Sequence, residues 1–282
     1  MIREYTELTK PRITILILIC TAVGYYFAGS GNFEVLRFVH ALIGTGLMAS
    51  GTAALNQWYE RDVDSKMRRT RGRPLPSRRI EPRHAFIFAM VLSMAGFAEL
   101  WFGANALAAA LGLLTEIIYL CLYTPMKLRS PVCTTIGAVP GALPPVIGYA
   151  AASGQVSSVA VALFAILFLW QFPHFYAIAW MYREDYASGG IKMLPVVKPD
   201  GHATAYRIVV CSIGLIPVSL IPQLLGMAGA LYALMAIILG LALTYFGVCV
   251  ARARTIAAAR NVLLASVVYL PLLLIVMMVD GF

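Results

Sequence analysis

Residues 35–76 read VLRFVHALIGTGLMASGTAALNQWYERDVDSKMRRTRGRPLP, and the change of character near residue 56 decides the architecture. The first half is apolar and long enough to cross a hydrocarbon core of about 30 Å, which takes roughly 17 to 25 helical residues. No Gly-Pro or Asn-Gly punctuation interrupts the step into polar residues, so the helix continues past the apolar run. Asn56, Glu60 and Asp64 then stand at i, i+4 and i+8. At 3.6 residues per turn they drift only about 40° per step and share one face. Asp62 falls off that face and reads as a partner for the arginines. Lys66, Arg68, Arg69, Arg71 and Arg73 follow at once. Three oxygen-bearing side chains before a basic loop form the composition that Mg²⁺ and a diphosphate require. The hard cation takes carboxylate oxygens and bridges to phosphate, and Arg and Lys hold phosphate oxygens. Balancing a basic loop would account for one acid at a helix end; it does not account for three polar residues in register.

Outward from this stretch, the chain repeats the same apolar theme. Sixty percent of its 282 residues are hydrophobic and 12% are charged. Mean hydropathy is +0.80. A soluble domain of that composition would expose apolar surface everywhere, so the bilayer must be the solvent. Nine apolar runs are long enough to span, near residues 13–29, 35–55, 85–102, 106–123, 133–152, 159–180, 205–225, 229–250 and 262–279. The basic residues sort by parity: they precede the first run or follow the second, fourth, sixth and eighth, and only Arg37 lies on the other side. Cytoplasmic loops collect Lys and Arg. The expected fold is therefore an all-α polytopic membrane protein, nine transmembrane helices in a bundle around a central cavity. One membrane-embedded domain fills residues 1–282. The N-terminus is expected in the cytoplasm, the C-terminus in the periplasm, and the active site at the cytoplasmic end.

The net charge of +9 is spread among spans on one face, which suits anionic lipid headgroups and excludes a nucleic-acid partner. The first run is retained as a helix rather than read as a signal peptide, because no small-residue cleavage site follows and Glu4 and Glu7 precede it. Five cysteines without a C-x-x-C pair indicate neither a zinc site nor a disulfide framework. The outer turns, such as 29–32 and 152–155, are short. Two cytoplasmic loops, 56–83 and 183–202, are longer and suggest a weak internal repeat in charge pattern. Within the membrane, Glu116 is expected to be protonated or paired, and Glu99 to sit near the outer headgroups. A transporter would place broken helices and polar residues at midplane rather than at one face.

Asn56-x-x-x-Glu60-x-x-x-Asp64 at the end of the second of nine helices resembles the first signature of the intramembrane aromatic prenyltransferases, the UbiA superfamily. Glu60, Met67, Arg69-Thr70 and Arg73-Pro74-Leu75 are similar to the branch that farnesylates protoheme, as are Tyr123-Thr124-Pro125, Gly141-Ala142-Leu143-Pro144-Pro145 with Gly148, Trp170 to Phe175, and Met193 to Val197. The resemblance implies transfer from farnesyl diphosphate to heme b with Mg²⁺ as cofactor; an aromatic or quinone-precursor acceptor is the alternative. It implies metal binding by Asn56, Glu60, Asp64 and Asp185, and diphosphate binding by Lys66, Arg69, Arg73 and Lys192. Acceptor binding falls to His174, Trp170 and Tyr123, with Pro173 expected to break the sixth helix so that His174 lines the cavity. Tyr182 and Tyr186 fall where the superfamily usually carries the two Asp of its second signature, leaving Asp185 as the acid expected to face the site. Location in a bacterial inner membrane, and exchange with a heme A synthase or terminal-oxidase assembly factors, are implied as well.

Overall fold

The computed structural model describes residues 2–29 and 33–281. Ser30, Gly31 and Asn32 of the first outer turn lie outside the described residues. Among those described, nine helices are long and apolar enough to cross a membrane: Pro11–Ala28, Val35–Asp64, Pro82–Gly103, Ala106–Met126, Cys133–Ser153, Ser158–Met181, His202–Leu224, Ala230–Ala253 and Ile256–Val279. They are called the first to ninth spans below. The chain is a multi-pass membrane protein, and its lipid-facing surface carries side chains such as Ile15, Leu16, Ile19, Leu241 and Ile275.

A short helix, Ile2–Leu8, precedes the first span. The two are separated at Lys10, whose backbone is left-handed (φ 48°), and Pro11 opens the next helix where its missing N–H costs nothing. The second span runs without interruption to Asp64, as the sequence leads one to expect. The third and ninth begin earlier than their apolar runs do, at Pro82 and Ile256, because amphipathic first turns extend a helix beyond its membrane-embedded part.

The spans meet through small residues, since helices in lipid associate by close packing rather than by hydrophobic exclusion. Gly44 and Gly51 of the second span lie against Leu100, Ser93 and the backbone of the third, and a side chain at either would collide there. Gly24 of the first span and Gly148 of the fifth hold those two backbones in contact in the same way. Glu116 of the fourth span is paired: the Ser93 hydroxyl donates to it at 2.7 Å. Glu99 pairs with His40 at 2.7 Å, near the end opposite the polar loops.

Cross-chain hydrogen bonds confirm the parity read from the charges. One end of the bundle joins Lys10 to Asn56, Lys127 to Glu60, Asp185 to the amides of Arg68 and Arg69, and Arg254 to His202. At the other end the Tyr25 hydroxyl donates to the carbonyl of Glu34, Asn105 donates to that of Ala150, and the Tyr232 amide donates to Asp280. Two departures from regular helix matter. Residues Ile118–Tyr123 of the fourth span form a π-helical turn, a local widening that often accompanies function. The break expected at Pro173 is absent: the sixth span continues through it from Ser158 to Met181. Neighbouring helices let such a segment stay helical even where a backbone hydrogen bond is missing.

Candidate active site

Asn56, Glu60 and Asp64 line one face of the last turns of the second span and are 1%, 8% and 1% exposed. Each meets a cation from a different part of the chain. Lys10 donates to Asn56 Oδ1 at 3.1 Å, Lys127 to Glu60 Oε1 at 2.8 Å, and Arg73 to Asp64 Oδ2 at 2.7 Å. The Asn56 amide group donates in turn to the hydroxyl of Thr124 at 3.2 Å. The Thr124 hydroxyl donates to the carbonyl of Tyr119 at 2.8 Å, inside the π-helical turn. The widened turn thus brings a hydroxyl to the amide while Tyr123 packs its ring under the Lys127 ammonium, 4.4 Å from the centroid.

The electrostatics of the two lysines differ. Burial is the largest single influence and disfavours the charge on Lys127, but the adjacent Glu60 carboxylate, its hydrogen bond and the Tyr123 and Tyr119 hydroxyl groups together outweigh it and hold the ammonium well above the usual lysine range. At Lys10 burial dominates, the nearby charges of Arg73 and Lys127 add to it, and the group is pushed down to about 7. Neither lysine was singled out from the sequence, where each reads as one more basic residue at a cytoplasmic boundary. A lysine four residues after Tyr123, at the end of a span whose apolar run ends at residue 123, is the signal that was available.

The loop that follows, 65–81, is folded back on the helix end. Thr70 donates to the carbonyl of Asp64 at 3.0 Å, and Met67 and Leu75 are buried. Arg73 reaches the oxygen row; Lys66, Arg68 and Arg69 are exposed around it. Asp185, expected to face the row, makes its hydrogen bonds to the basic loop. Its two carboxylate oxygens accept the backbone amides of Arg68 and Arg69 at 2.6 and 3.2 Å. Ser188 donates to the carbonyl of Lys66 at 3.2 Å. The Arg69 guanidinium lies over both Tyr182 and Tyr186, 5.3 and 5.7 Å from the ring centroids. Lys192 has an exposed side chain, while its amide donates to the carbonyl of Lys127 at 2.7 Å. Among the described residues no three His, Cys, Asp or Glu side chains converge on one point.

The donors present still suit a hard cation. Two carboxylates and an amide one turn apart, each with a lone pair left over, match an ion that uses one or two carboxylates and completes its sphere with water and phosphate. Of the acceptor candidates, Tyr123 stands beside this row. Trp170 and His174 lie further along the sixth span, stacked at 5.0 Å, and face the ninth span.

Nine spans among the described residues, with paired oxygens and cations gathered at one end, make a multi-pass membrane protein with a candidate site for an anionic group, and the chain belongs to the UbiA prenyltransferase family, whose profile matches residues 17–275. Relatives of known name narrow this further. The chain is 58% identical to the protoheme IX farnesyltransferase of Solibacter usitatus, across 99% of its own length and 98% of that relative's. It is 47% identical to the protoheme IX farnesyltransferase of Koribacter versatilis, across 99% and 94%. Among solved structures it resembles a digeranylgeranylglyceryl phosphate synthase at a TM-score of 0.83, with 18% identity, covering 99% of this chain and 98% of that one. It also resembles a UbiA homologue from Archaeoglobus fulgidus, bound to GPP and Mg²⁺, at 0.68 with 17% identity, covering 98% and 99%. The family expected from the motifs is the family matched.

Proposed function

We propose that this chain transfers the farnesyl group of farnesyl diphosphate to a vinyl group of heme b, with addition of water, giving heme O and diphosphate. The observation that carries the reading is the row Asn56, Glu60, Asp64, each member holding one cation. The names of relatives that match nearly the whole chain at up to 58% identity supply the acceptor.

The bond that breaks is the allylic C–O bond, whose electron pair leaves with the diphosphate. Mg²⁺, when bound, would supply Lewis-acid stabilisation of the departing diphosphate. Asn56, Glu60 and Asp64 would hold it. Lys10, Lys127 and Arg73 then turn from the carboxylate row toward the leaving diphosphate and stabilise its growing charge. At Lys10, whose charge is disfavoured first by burial and then by the neighbouring Arg73 and Lys127, an arriving anionic diphosphate offsets that cost. Tyr119 and Tyr123, edge to face at 5.0 Å, wall the site with aromatic faces that tolerate a neighbouring cation. The vinyl carbon attacks the allylic cation, water captures the new cation on the porphyrin side chain, and the proton that water loses leaves to solvent. Asp185 serves this scheme as a tether for the basic loop.

Membranes carrying the protein, supplied with heme b, Mg²⁺ and labelled farnesyl diphosphate, are expected to form labelled heme O. Label appearing only on an added quinone precursor such as 4-hydroxybenzoate would replace heme by an aromatic acceptor. The polar end is assigned to the cytoplasm of a bacterial inner membrane on the distribution of Lys and Arg. A cysteine introduced at Ser77 should be reached by a thiol probe only from that side; labelling from the periplasm of intact cells would reverse the orientation.

A further inference from the structure

Ser266 lies in the ninth span and is fully buried. Its hydroxyl sits between two acceptor-capable atoms, 2.7 Å from the carbonyl oxygen of Leu263 and 2.8 Å from Nδ1 of His174. A serine has one proton to give. A carbonyl oxygen can only accept, so the Ser266 proton goes to Leu263, and the contact to His174 is satisfied only if Nδ1 carries hydrogen and donates to Oγ. A neutral imidazole protonated at Nδ1 is bare at Nε2. Nε2 makes no hydrogen bond among the described residues, and the His174 side chain keeps partial exposure. The carbonyl of the same Ser266 accepts Nε1–H of Trp170 at 2.8 Å, and the indole stacks on the His174 ring at 26° between planes. One residue of the ninth span therefore fixes both the tautomer and the plane of an imidazole on the sixth.

We infer that Ser266 is a positioning residue for the acceptor: it holds His174 with an unprotonated Nε2 that ligates the iron of the incoming porphyrin. This rests on the reading of heme as acceptor. The logic is that of metal-bound histidines generally, where a hydrogen bond at one ring nitrogen orients the other, and loss of that partner costs about tenfold or more in affinity. Here the iron belongs to the substrate, so the bond must be single and reversible. A neutral imidazole meets that requirement without adding charge to the bilayer interior. The continuous helix through Pro173 supports the same role, since an unbroken helix keeps Trp170 and His174 about one turn apart and in stacking register.

The test is spectroscopic titration of the purified full-length protein with ferric heme b, and in parallel with metal-free protoporphyrin IX. Wild type is expected to give a Soret shift of imidazole ligation. His174→Ala should lose that shift and regain it with added imidazole. Ser266→Ala should weaken heme binding about tenfold while leaving metal-free porphyrin and a non-hydrolysable farnesyl diphosphate analogue bound as in wild type. Ser266→Thr, which keeps the hydroxyl, should restore heme affinity. In turnover Ser266→Ala should raise the KM for heme with little change in kcat. A Ser266→Ala protein that bound both porphyrins equally weakly would make Ser266 a packing residue. Heme O formation with an unshifted Soret band in wild type would overturn the inference while leaving the acceptor reading intact. No heme binding and no heme O would remove that reading itself.

Discussion

The two polar loops at the end of the bundle look alike in charge but do different work. The loop after the second span continues a row of buried oxygens and returns Arg73 to it. The loop after the sixth span spends its acid on the first loop's backbone and sets two tyrosines beneath Arg69. In the proposed mechanism one loop provides chemistry and the other provides its shape. The lesson is that a carboxylate near a basic loop can be a support rather than a ligand, and its hydrogen-bond partners tell which. Backbone amides are fixed donors that hold both oxygens of Asp185 in place, whereas side-chain cations on Glu60 and Asp64 can swing away when a metal or an anion arrives.

The comparison can be broken most directly at the row itself. Asp64→Ala or Glu60→Ala is expected to lower kcat by about a thousandfold or more while the protein still inserts, because several kcal/mol of charge stabilisation is lost with the metal's protein donors. Radiolabelled turnover, with membrane insertion followed by immunoblot, measures this; near-normal turnover in Asp64→Ala would take that residue out of the site. Next in size, Arg73→Lys keeps the charge but not the planar fork. The KM for the prenyl donor should rise about tenfold and that for heme much less. A rise confined to heme would move Arg73 to the porphyrin propionates.

Asp185→Ala sharpens the contrast between the loops. It should free the backbone of Arg68 and Arg69, make the first loop a faster target for trypsin, and cost about tenfold in kcat/KM, in line with one charged hydrogen-bond acceptor. A loss as deep as that of Asp64→Ala, with unchanged proteolysis, would return Asp185 to the metal. The smallest effect is expected from Tyr186→Phe. It removes only a hydroxyl 3.5 Å from Arg69 and keeps the ring face under the guanidinium, so kcat/KM should stay within about twofold of wild type.

Much of this was legible beforehand, and the reason is distance along the chain. Asn56, Glu60 and Asp64 share a face because helical periodicity acts over eight residues, and the helix that carries them is set by a local apolar run and the lack of a breaker. Lys10, Lys127 and Asp185 reach their partners across separations of 46, 67 and 117 residues. No local pattern specifies such meetings. Pro173 misled in the same way: proline disfavours a helix locally, yet the packing of neighbouring spans overrides it.

By itself the sequence determined the solvent, the number and parity of the spans, the family, and one row of oxygen donors beside a basic loop, all of which follow from hydropathy, charge and a period of 3.6. Only the tertiary structure decided which cation meets which oxygen, that Asp185 braces a loop, and that Ser266 governs the tautomer of His174. Those outcomes depend on how the spans pack side by side, and the short-range energies readable from a sequence do not contain that information.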